Sequence, residues 1–392
     1  MRISVPIVLA ATTVVASSAA APTAKSKIAA APFGAKLHAQ LASRTGNLIY
    51  SPSSVAIALA MTREGAAGAT ARELDAVLGP TARADAKALT KAFAGKPAAG
   101  PPEIVIANRL FGDAPGFERA FLDVTRADYG AALEPVDFRG HGEAGRTTIN
   151  RWVELQTKNK IKDLIAPGAL DAQTRLVLVN AIYLKAAWAT PFERSNTKPA
   201  AFTIDAAGNQ TTRQVATMHG RVGSRWGAHA GARMVDLPYV GSDLRMLIVV
   251  PDHAKLATIE ADYANQGLAP YLAAADANAG VTILSLPKFK VGGEFELGPA
   301  LETMGMKTAF SPGAADFRGI STREKLFLSR AIHKAWIEID ENGTEAAAAT
   351  AIGVEPSSVP QTQVFAVDRS FLFFIHDRAG NVVFGGRVID PS

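Results

Sequence analysis

Residues 341–351 are Glu341-Asn342-Gly343-Thr344-Glu345-Ala346-Ala347-Ala348-Ala349-Thr350-Ala351. The preceding Ile337-Glu338-Ile339 alternates apolar and polar side chains, as a strand does. A glycine here permits backbone angles that other residues avoid, and the small side chains after it can enter a packed sheet. Helix propensity alone would make the alanines helical. The stretch by itself therefore allows two interpretations, a helical run or a loop of low bulk that can become a strand.

Motifs along the rest of the chain decide between these interpretations. They are, in order, Asn47-Leu48-Ile49-Tyr50-Ser51-Pro52-Ser53-Ser54, Ile149-Asn150-Arg151-Trp152-Val153, Leu178-Val179-Asn180-Ala181-Ile182-Tyr183-Leu184-Lys185, Leu286-Pro287-Lys288-Phe289, Met304-Gly305-Met306, Ala315-Asp316-Phe317, His333-Lys334 and Phe384-Gly385-Gly386-Arg387-Val388-Ile389-Asp390-Pro391. Together with residues 341–351, this ordered set resembles the serpin family over nearly the whole mature chain. Serpins are protease inhibitors that insert a cleaved loop into a β-sheet.

The resemblance implies an α+β fold with three β-sheets, eight to nine helices and an exposed reactive-centre loop over about residues 342–361. The composition agrees with one large domain, since 392 residues with 48% hydrophobic content can bury a large core. The longest loose stretch, residues 95–102, is short, and no linker divides the chain. We therefore predict a single serpin domain over residues 32–392.

The N-terminus has the pattern of a secretory signal. Arg2 precedes a largely apolar run from Val5 to Val15, and residues 16–21 are only alanine and serine. This pattern predicts a signal peptide over residues 1–20, followed by a disordered lead-in over 21–31. We expect a bacterial protein that is secreted or periplasmic. The chain has no cysteine, so its stability must come from the core without disulfides.

The charge pattern gives little support for a polyanionic partner. The formal net charge is only +5. The densest basic cluster, Lys158, Lys160 and Lys162, is predicted to lie on the solvated face of a helix. The region from Arg83 to Lys96, where some serpins bind polyanions, offers four basic residues at loose spacing. We predict no nucleic-acid or membrane partner and a monomer, for which polymers formed by loop insertion into a neighbour are a hazard.

The sequence contains one motif that is also found in enzymes, and the residues around it argue against catalysis. Ser195-Asn196-Thr197-Lys198 has the S-x-x-K spacing of serine acyltransferases, which need the serine at the start of a helix. Pro199 follows at once, and residues 201–204 alternate like a strand, so the spacing is accidental. Other nucleophile, phosphate and zinc motifs are absent, and the histidines are scattered. We predict a protein that is not an enzyme and that needs neither cofactor nor metal.

The resemblance assigns polar residues to two places in the main sheet. Those at its centre hold two strands closed and exchange hydrogen bonds when a new strand arrives; they are Ser51, Ser54, Asn180 and His333. Those near the entry of the loop are Trp188, Lys288 and Glu341, with Lys288 paired to Glu341. Ser51 and Ser54 also fit a plain helix start, in which Ser51 caps and Pro52 takes the first position. Both interpretations can hold together.

The same resemblance places a hinge at Glu341, Gly343, Thr344, Glu345, Ala346, Ala347, Ala348 and Ala349. Inserted residues would alternate between faces, and the small side chains here favour fast insertion. The predicted function is therefore an irreversible suicide-substrate inhibitor of serine proteases. The alternative is a non-inhibitory, binding or chaperone-like serpin whose loop is cut as a plain substrate.

The resemblance also implies a scissile bond. The serpin counterpart of Phe365 opens the strand after the loop, and counting back from it and forward from Gly343 gives Ser357-Ser358, with a bait of Val354, Glu355 and Pro356. A small residue before the bond favours elastase-like or subtilisin-like proteases. A trypsin-like target is disfavoured because residues 346–368 contain no Lys or Arg. Cleavage after Ala351, Ile352 or Val354 would also fit an elastase-like enzyme, and cleavage after Glu355 a glutamate-specific one.

Overall fold

The structure is a computed structural model that describes residues 30–94, 103–131, 133–206, 209–253, 255–344 and 361–392. The predicted signal peptide and nearly all of the lead-in lie outside these residues. So do Glu345 and the alanines of the hinge, the bait, and both residues of the predicted scissile bond, Ser357 and Ser358. Helix α1 begins at Ala30, two residues before the predicted start of the domain.

Nine α-helices lie within the described residues: α1 (Ala30–Leu41), α2 (Pro52–Arg63), α3 (Gly68–Leu78), α4 (Ala82–Ala94), α5 (Arg119–Tyr129), α6 (Phe138–Gln156), α7 (Leu256–Gln266), α8 (Ala269–Ala275) and α9 (Gly298–Thr303). The described strands are β1 (Leu48–Tyr50), β2 (Glu103–Gly112), β3 (Glu134–Pro135), β4 (Leu176–Ala187), β5 (Lys198–Ala206), β6 (Asn209–His229), β7 (Ala232–Pro238), β8 (Arg245–Pro251), β9 (Asn278–Pro287), β10 (Phe289–Glu296), β11 (Leu328–Asp340), β12 (Gly343–Thr344), β13 (Thr362–Ala366), β14 (Phe371–His376) and β15 (Val382–Val388).

Six strands form what we call the main sheet, in the order β10-β11-β12-β4-β2-β3. The short strand β12 separates β11 from β4 only at one end. Along the rest of their length β11 and β4 pair directly and run parallel, from Leu328 beside Leu176 to Trp336 beside Tyr183. The centre of the main sheet is thus a parallel pair between otherwise antiparallel neighbours.

The other strands form a nine-stranded path, β1-β15-β14-β8-β7-β6-β9-β13, with β5 also paired to β6. Strand β6 is 21 residues long, and different parts of it pair with different neighbours. Residues 209–217 pair with β5, residues 217–226 with β9 and residues 225–229 with β7. The described strands thus form two hydrogen-bonded sheets, and the nine-stranded one is continuous because β6 pairs with β5, β9 and β7 in turn. The predicted α+β class and the helix number are confirmed within the described residues.

Helix α2 forms the buried core beneath the main sheet. Its residues are small or apolar all round, and every one from Pro52 to Thr62 is buried, as expected for a helix enclosed on all sides. It packs against β2, β4 and β15. Ser51 caps it, because its side chain accepts a hydrogen bond from the backbone of Ser54, and Pro52 occupies the first turn. The local interpretation of Ser51 is confirmed.

One sequence prediction about a helix is wrong. The lysines at 158, 160 and 162 do not lie on a helix, since α6 ends at Gln156. Lys158, Asn159 and Asp163 adopt positive φ values, which cannot continue a right-handed helix. The Thr157 hydroxyl instead accepts a hydrogen bond from the backbone of Ile161 and closes a loop. No helix within the described ranges is long and apolar enough to span a membrane.

Residues 194–198 do not form an α-helix, as the sequence predicted. Arg194–Asn196 is a single 3₁₀ turn and β5 begins at Lys198. Ser195 therefore does not start an α-helix, and its spacing from Lys198 has no catalytic meaning. Pro199 lies within β5, which pairs with β6 along its length. Within the described residues the other side of β5 has one bridge, between Thr203 and Arg369, and an edge position tolerates the missing N–H of proline.

Candidate functional site

The four residues predicted at the centre of the main sheet meet in one buried network. Nε2 of His333 accepts a hydrogen bond from the backbone N–H of Ser51 at 3.0 Å. Because Nε2 is the acceptor, Nδ1 carries the proton and donates it to Oδ1 of Asn180. The side-chain amide of Asn180 donates to Oγ of Ser54 at 2.5 Å. Strands β4 and β11 are thus joined to each other and to the start of α2.

Asn108 is a fifth member that the sequence analysis missed. It lies on β2 directly opposite Asn180, and its Oδ1 accepts a second hydrogen bond from the Asn180 amide. Its own amide donates to the backbone oxygen of Ser54 at 3.2 Å. The available signal was a polar side chain at the end of the apolar run Ile104-Val105-Ile106-Ala107. We call Ser51, Ser54, Asn108, Asn180 and His333 the central network.

The central network is closed to solvent. All five residues are buried, His333 completely. Burial lowers the pKa of the His333 imidazole to about 3, so the ring is neutral at physiological pH and can accept from Ser51. Since β4 and β11 pair directly at His333 and Asn180, a new strand entering between them must replace the His333 to Asn180 bond.

A second group of predicted residues lies at the end of the main sheet where β12 stands. The Glu341 carboxylate accepts hydrogen bonds from Nζ of Lys288 at 2.9 and 3.2 Å and from the Thr197 hydroxyl at 2.7 Å. Burial opposes ionisation of Glu341, but the hydrogen bonds from Lys288 and Thr197 lower its pKa overall. The Glu341 side chain is only 6% exposed, against 38% for Lys288. This pair is therefore less exposed than an ordinary surface ion pair.

Trp188, which directly follows β4, contacts the same end of the main sheet. Its indole Nε1 donates to the backbone oxygen of Asp340 at 3.0 Å, and its backbone N–H donates to Asn342. Its ring stacks on Tyr239 with centroids 4.7 Å apart. Trp188 thus fixes the end of β11 and the turn that follows it. Tyr239, which the sequence analysis missed, completes this contact.

Strand β12 is the main departure from the predicted loop. The loop was expected to be exposed from about residue 342, yet Gly343 and Thr344 lie between β4 and β11. Both are buried. Gly343 pairs with Ala187 and Asp340, and Thr344 with Ala186 and Ile339. The Thr344 hydroxyl hydrogen-bonds to that of Tyr239 at 2.7 Å.

Gly343 is required by this geometry. Its φ is +138°, which side chains rarely adopt. A Cβ built at this position would stand 2.2 Å from the backbone oxygen of Ala186 and 2.8 Å from Cα of Ala187. Any other residue would therefore have to move the first pair of β12 away from β4.

The helix considered for polyanion binding is largely neutralised. Lys87 on α4 pairs with Glu64 at 3.2 Å and with Asp128 at 2.7 Å. Arg83 also pairs with Glu64, at 3.3 Å. Lys91 is exposed, and Lys96 lies outside the described residues. The described part of α4 thus offers little free positive charge.

Comparison with known proteins agrees with this geometry. The family model for serpins, described as serine protease inhibitors, matches residues 29–391. Leukocyte elastase inhibitor A of Rattus norvegicus is 34% identical, over 89% of this chain and 94% of that protein. Antithrombin-III of Ovis aries is also 34% identical, over 88% of this chain and 76% of that protein.

A solved structure of human thyroxine-binding globulin complexed with thyroxine is similar as well. It superposes with a TM-score of 0.81 at 28% identity, over 93% of this chain and 98% of that one. The chain belongs to the serpin family. It is therefore a member of a family of serine protease inhibitors and not an enzyme.

Acid should destabilise the folded protein through His333. Between the ordinary imidazole pKa of 6.5 and the folded pKa of about 3, only the unfolded chain binds this proton. Stability should thus be insensitive to this group above about pH 6.5 and fall by about 1.4 kcal/mol per pH unit below it. Thermal unfolding midpoints at pH 7, 6 and 5 measure the slope. His333→Gln, which keeps a donor and an acceptor but does not titrate, should show a shallower fall, and identical slopes would contradict the prediction.

Replacing Gly343 should expel β12 from the main sheet. In Gly343→Ala the added Cβ collides with Ala186, so we expect the amides of Gly343 and Thr344 to lose protection and the thermal midpoint to fall. Hydrogen exchange of peptides that end at Thr344 measures this. Gly313→Ala is the matched control, because a Cβ there meets nothing within 4 Å. Unchanged exchange in the Gly343 variant would show that the strand does not depend on this glycine.

Proposed function

We propose that this protein is an irreversible suicide-substrate inhibitor of serine proteases, which traps the acyl-enzyme by inserting its cleaved loop between β4 and β11. The observation that carries the proposal is β12. Its two residues are antiparallel to β4 and to β11 and pair with both. A loop continued from Thr344 would extend this strand down the sheet.

The residues that would follow Thr344 suit that path. Side chains of an inserted strand alternate, so those on the side of the buried Thr344 would be Ala346, Ala348, Thr350, Ile352 and Val354. The leading members are small and would pass between β4 and β11 with little displacement of the core. Bulky or charged residues in the leading part would slow insertion, and the chain has none on this face from Thr344 to Thr350.

The energy available is sufficient to damage a protease. An inserted strand of about a dozen residues would gain ladder hydrogen bonds of ~1 kcal/mol each as well as apolar burial, together on the order of 10–20 kcal/mol. That is comparable to the whole stability of an ordinary domain. The uncleaved protein is then kinetically trapped, because its loop is tethered at both ends.

Cleavage would remove the tether in one chemical step. The protease serine attacks the carbonyl carbon of Ser357, the peptide bond breaks, and the amine of Ser358 leaves with a proton from the protease histidine. The product is an ester between the protease and Ser357. If insertion precedes hydrolysis of this ester, the protease is pulled along the sheet and its oxyanion hole is distorted.

The bait supports an elastase-like or subtilisin-like target. Serine before the scissile bond fits a shallow first pocket, and no Lys or Arg is available for a trypsin-like enzyme between residues 346 and 368. A relative named leukocyte elastase inhibitor is consistent with that class. The second candidate function, binding without inhibition, is favoured by the similarity to a thyroxine-bound globulin.

We further propose that the protein is exported to the periplasm or secreted. Residues 1–20 combine a basic start, an apolar run and small residues at the end. The intact mass of protein isolated from the cells that make it should correspond to a chain beginning at Ala21. A cytoplasmic chain that retains residue 1 would contradict export.

Mixing the mature protein with subtilisin and with pancreatic elastase tests inhibition directly. We expect an adduct that survives denaturing electrophoresis, a released C-terminal fragment that begins at Ser358, and a cleaved protein with a higher thermal midpoint. Cleavage at this bond without an adduct and without a gain in thermal stability would show that the loop is a plain substrate.

A charged residue at position 344 should convert the inhibitor into a substrate. Thr344→Arg would bury a guanidinium beside Tyr239 without a partner, which is costly, so insertion should lag behind hydrolysis. We expect the number of inhibitor molecules consumed per protease to rise more than tenfold. Thr344→Val, which keeps the shape and lacks the hydroxyl, is the matched control and should still form the adduct. Equal adduct yields from both variants would contradict insertion at this position.

A further inference from the structure

We propose that Asn342 is a site of spontaneous deamidation, and that its conversion to isoaspartate releases β12 from the main sheet. The reaction consumes only water, so neither an enzyme nor a cofactor takes part. The chemistry does not depend on the proposed function. Only the expected loss of protease trapping rests on that function.

The sequence Asn342-Gly343 is the chemical basis of the proposal. It is the only Asn-Gly pair in the 392 residues. An asparagine deamidates when the backbone nitrogen of the next residue reaches the carbonyl carbon of its side chain. A glycine at the next position has no side chain to obstruct that approach. Every other asparagine of the chain is followed by a residue with a side chain, so Asn342 has the least hindered neighbour.

The side chain of Asn342 is free to react, although its backbone is held. Within the described residues its amide has no hydrogen-bond partner, and residue 342 is partly exposed. Its backbone N–H donates to Oδ1 of Asp340 at 2.8 Å, and its backbone oxygen accepts from Trp188 at 2.9 Å. The side-chain amides of Asn150 and Asn180 differ, because each donates to a buried acceptor. Asn342 is therefore a partly exposed asparagine whose side chain can turn towards the next nitrogen.

Deamidation here takes two steps. The backbone nitrogen of Gly343 attacks Cγ of Asn342, and the bond from Cγ to the amide nitrogen breaks. The proton lost by Gly343 leaves with that nitrogen as ammonia, and a five-membered succinimide ring remains. Water then adds to one of the two ring carbonyl carbons and breaks its bond to the Gly343 nitrogen, which regains a proton. Hydrolysis at Cγ gives aspartate, and hydrolysis at the backbone carbonyl gives isoaspartate.

The pairing of β12 controls the rate of ring closure. Gly343 is paired with Ala187 on one side and with Asp340 on the other, and this pairing restrains the backbone rotation that the ring needs. Ring closure therefore proceeds from molecules in which β12 is open. The two paired residues of β12 lie at one end of the sheet, where local opening costs less than in the long ladders beside them.

Isoaspartate at this position does not fit the observed path of β12. The carbonyl that Trp188 holds becomes part of a free carboxylate, and the chain to Gly343 leaves through the former side chain instead. This path adds one carbon, about 1.5 Å of chain. Gly343 has no space for such a shift, because an added Cβ would already stand 2.2 Å from the backbone oxygen of Ala186. The shift would also separate the Thr344 hydroxyl from that of Tyr239, which lies 2.7 Å away.

A protective role of β12 gives the opposite expectation. If the pairing of Gly343 held the segment closed at all times, Asn342 would stay intact for as long as the protein is folded. The Asn-Gly pair would then serve only the turn between β11 and β12.

The first experiment ages the mature protein in weakly alkaline buffer and follows every asparagine by peptide mapping. We expect residue 342 to change from amide to acid before any other, and an isoaspartate methyltransferase to label it. Asn265 is the internal control, because it is exposed but is followed by Gln266. A synthetic peptide of residues 338–346 gives the rate without a folded sheet. An intact Asn342 in the protein after this peptide has converted overturns the deamidation site.

The second experiment tests the release of β12. The isoaspartate fraction is separated by charge and compared with fresh protein by hydrogen exchange at residues 343 and 344. We expect exchange at least about fivefold faster, the effect of one lost backbone hydrogen bond. Asn342→Gln and Asn342→Ser cannot form the five-membered ring, so their exchange should not change with age. Asn342→Asp has the new charge on an unaltered backbone and should exchange as fresh protein does.

The outcomes separate this inference from the proposed function. Unchanged exchange in the isoaspartate fraction overturns the release of β12, and equally fast exchange in Asn342→Asp overturns the role of the added carbon. We expect the yield of protease adduct to fall in the isoaspartate fraction and to stay constant in aged Asn342→Gln. A constant yield despite faster exchange contradicts the link from β12 to trapping. If fresh unaltered protein forms no adduct, the proposed function fails, and peptide mapping and hydrogen exchange still decide the inference.

Discussion

The direct pairing of β4 with β11 is the constraint on which the rest of the structure depends. These two strands are parallel, whereas each pairs antiparallel with its other neighbour. A strand inserted between two parallel strands can run antiparallel to both, and β12 already does so at one end. Complete insertion would replace one parallel ladder, which is slightly less stable per residue, by two antiparallel ones. In the proposed mechanism the uncleaved sheet therefore has access to a favourable rearrangement that its own connectivity prevents.

The central network supplies specificity rather than bulk stability. Its five side chains are buried and satisfy one another, and a buried polar group without its partner costs about 1–3 kcal/mol. The hydrogen bond from His333 to Asn180 joins β11 to β4. A partial separation of these two strands would therefore break this bond and leave both side chains buried without a partner. The apolar contacts of α2 beneath the sheet are non-directional and tolerate sliding. The central network thus opposes small separations of β4 from β11.

In the proposed mechanism, the end of the loop at β12 governs trapping. Gly343 and Thr344 already pair with both β4 and β11, so they set the register in which a new strand would grow.

The sequence by itself determined the family, the fold class, the cap at Ser51 and the identity of four of the five central network residues, because ordered motifs and turn chemistry are local. It misplaced Lys158, Lys160 and Lys162 on a helix, since the apolar spacing of Ile161 and Leu164 fits a helix as well as the loop that packs there. Asn108 and Tyr239 escaped notice because each acts through a partner 72 and 105 residues away, respectively. Only the tertiary structure decided that Gly343 and Thr344 lie inside the sheet. Whether a short segment pairs or stays in solvent depends on the space between β4 and β11, and no local pattern encodes that space.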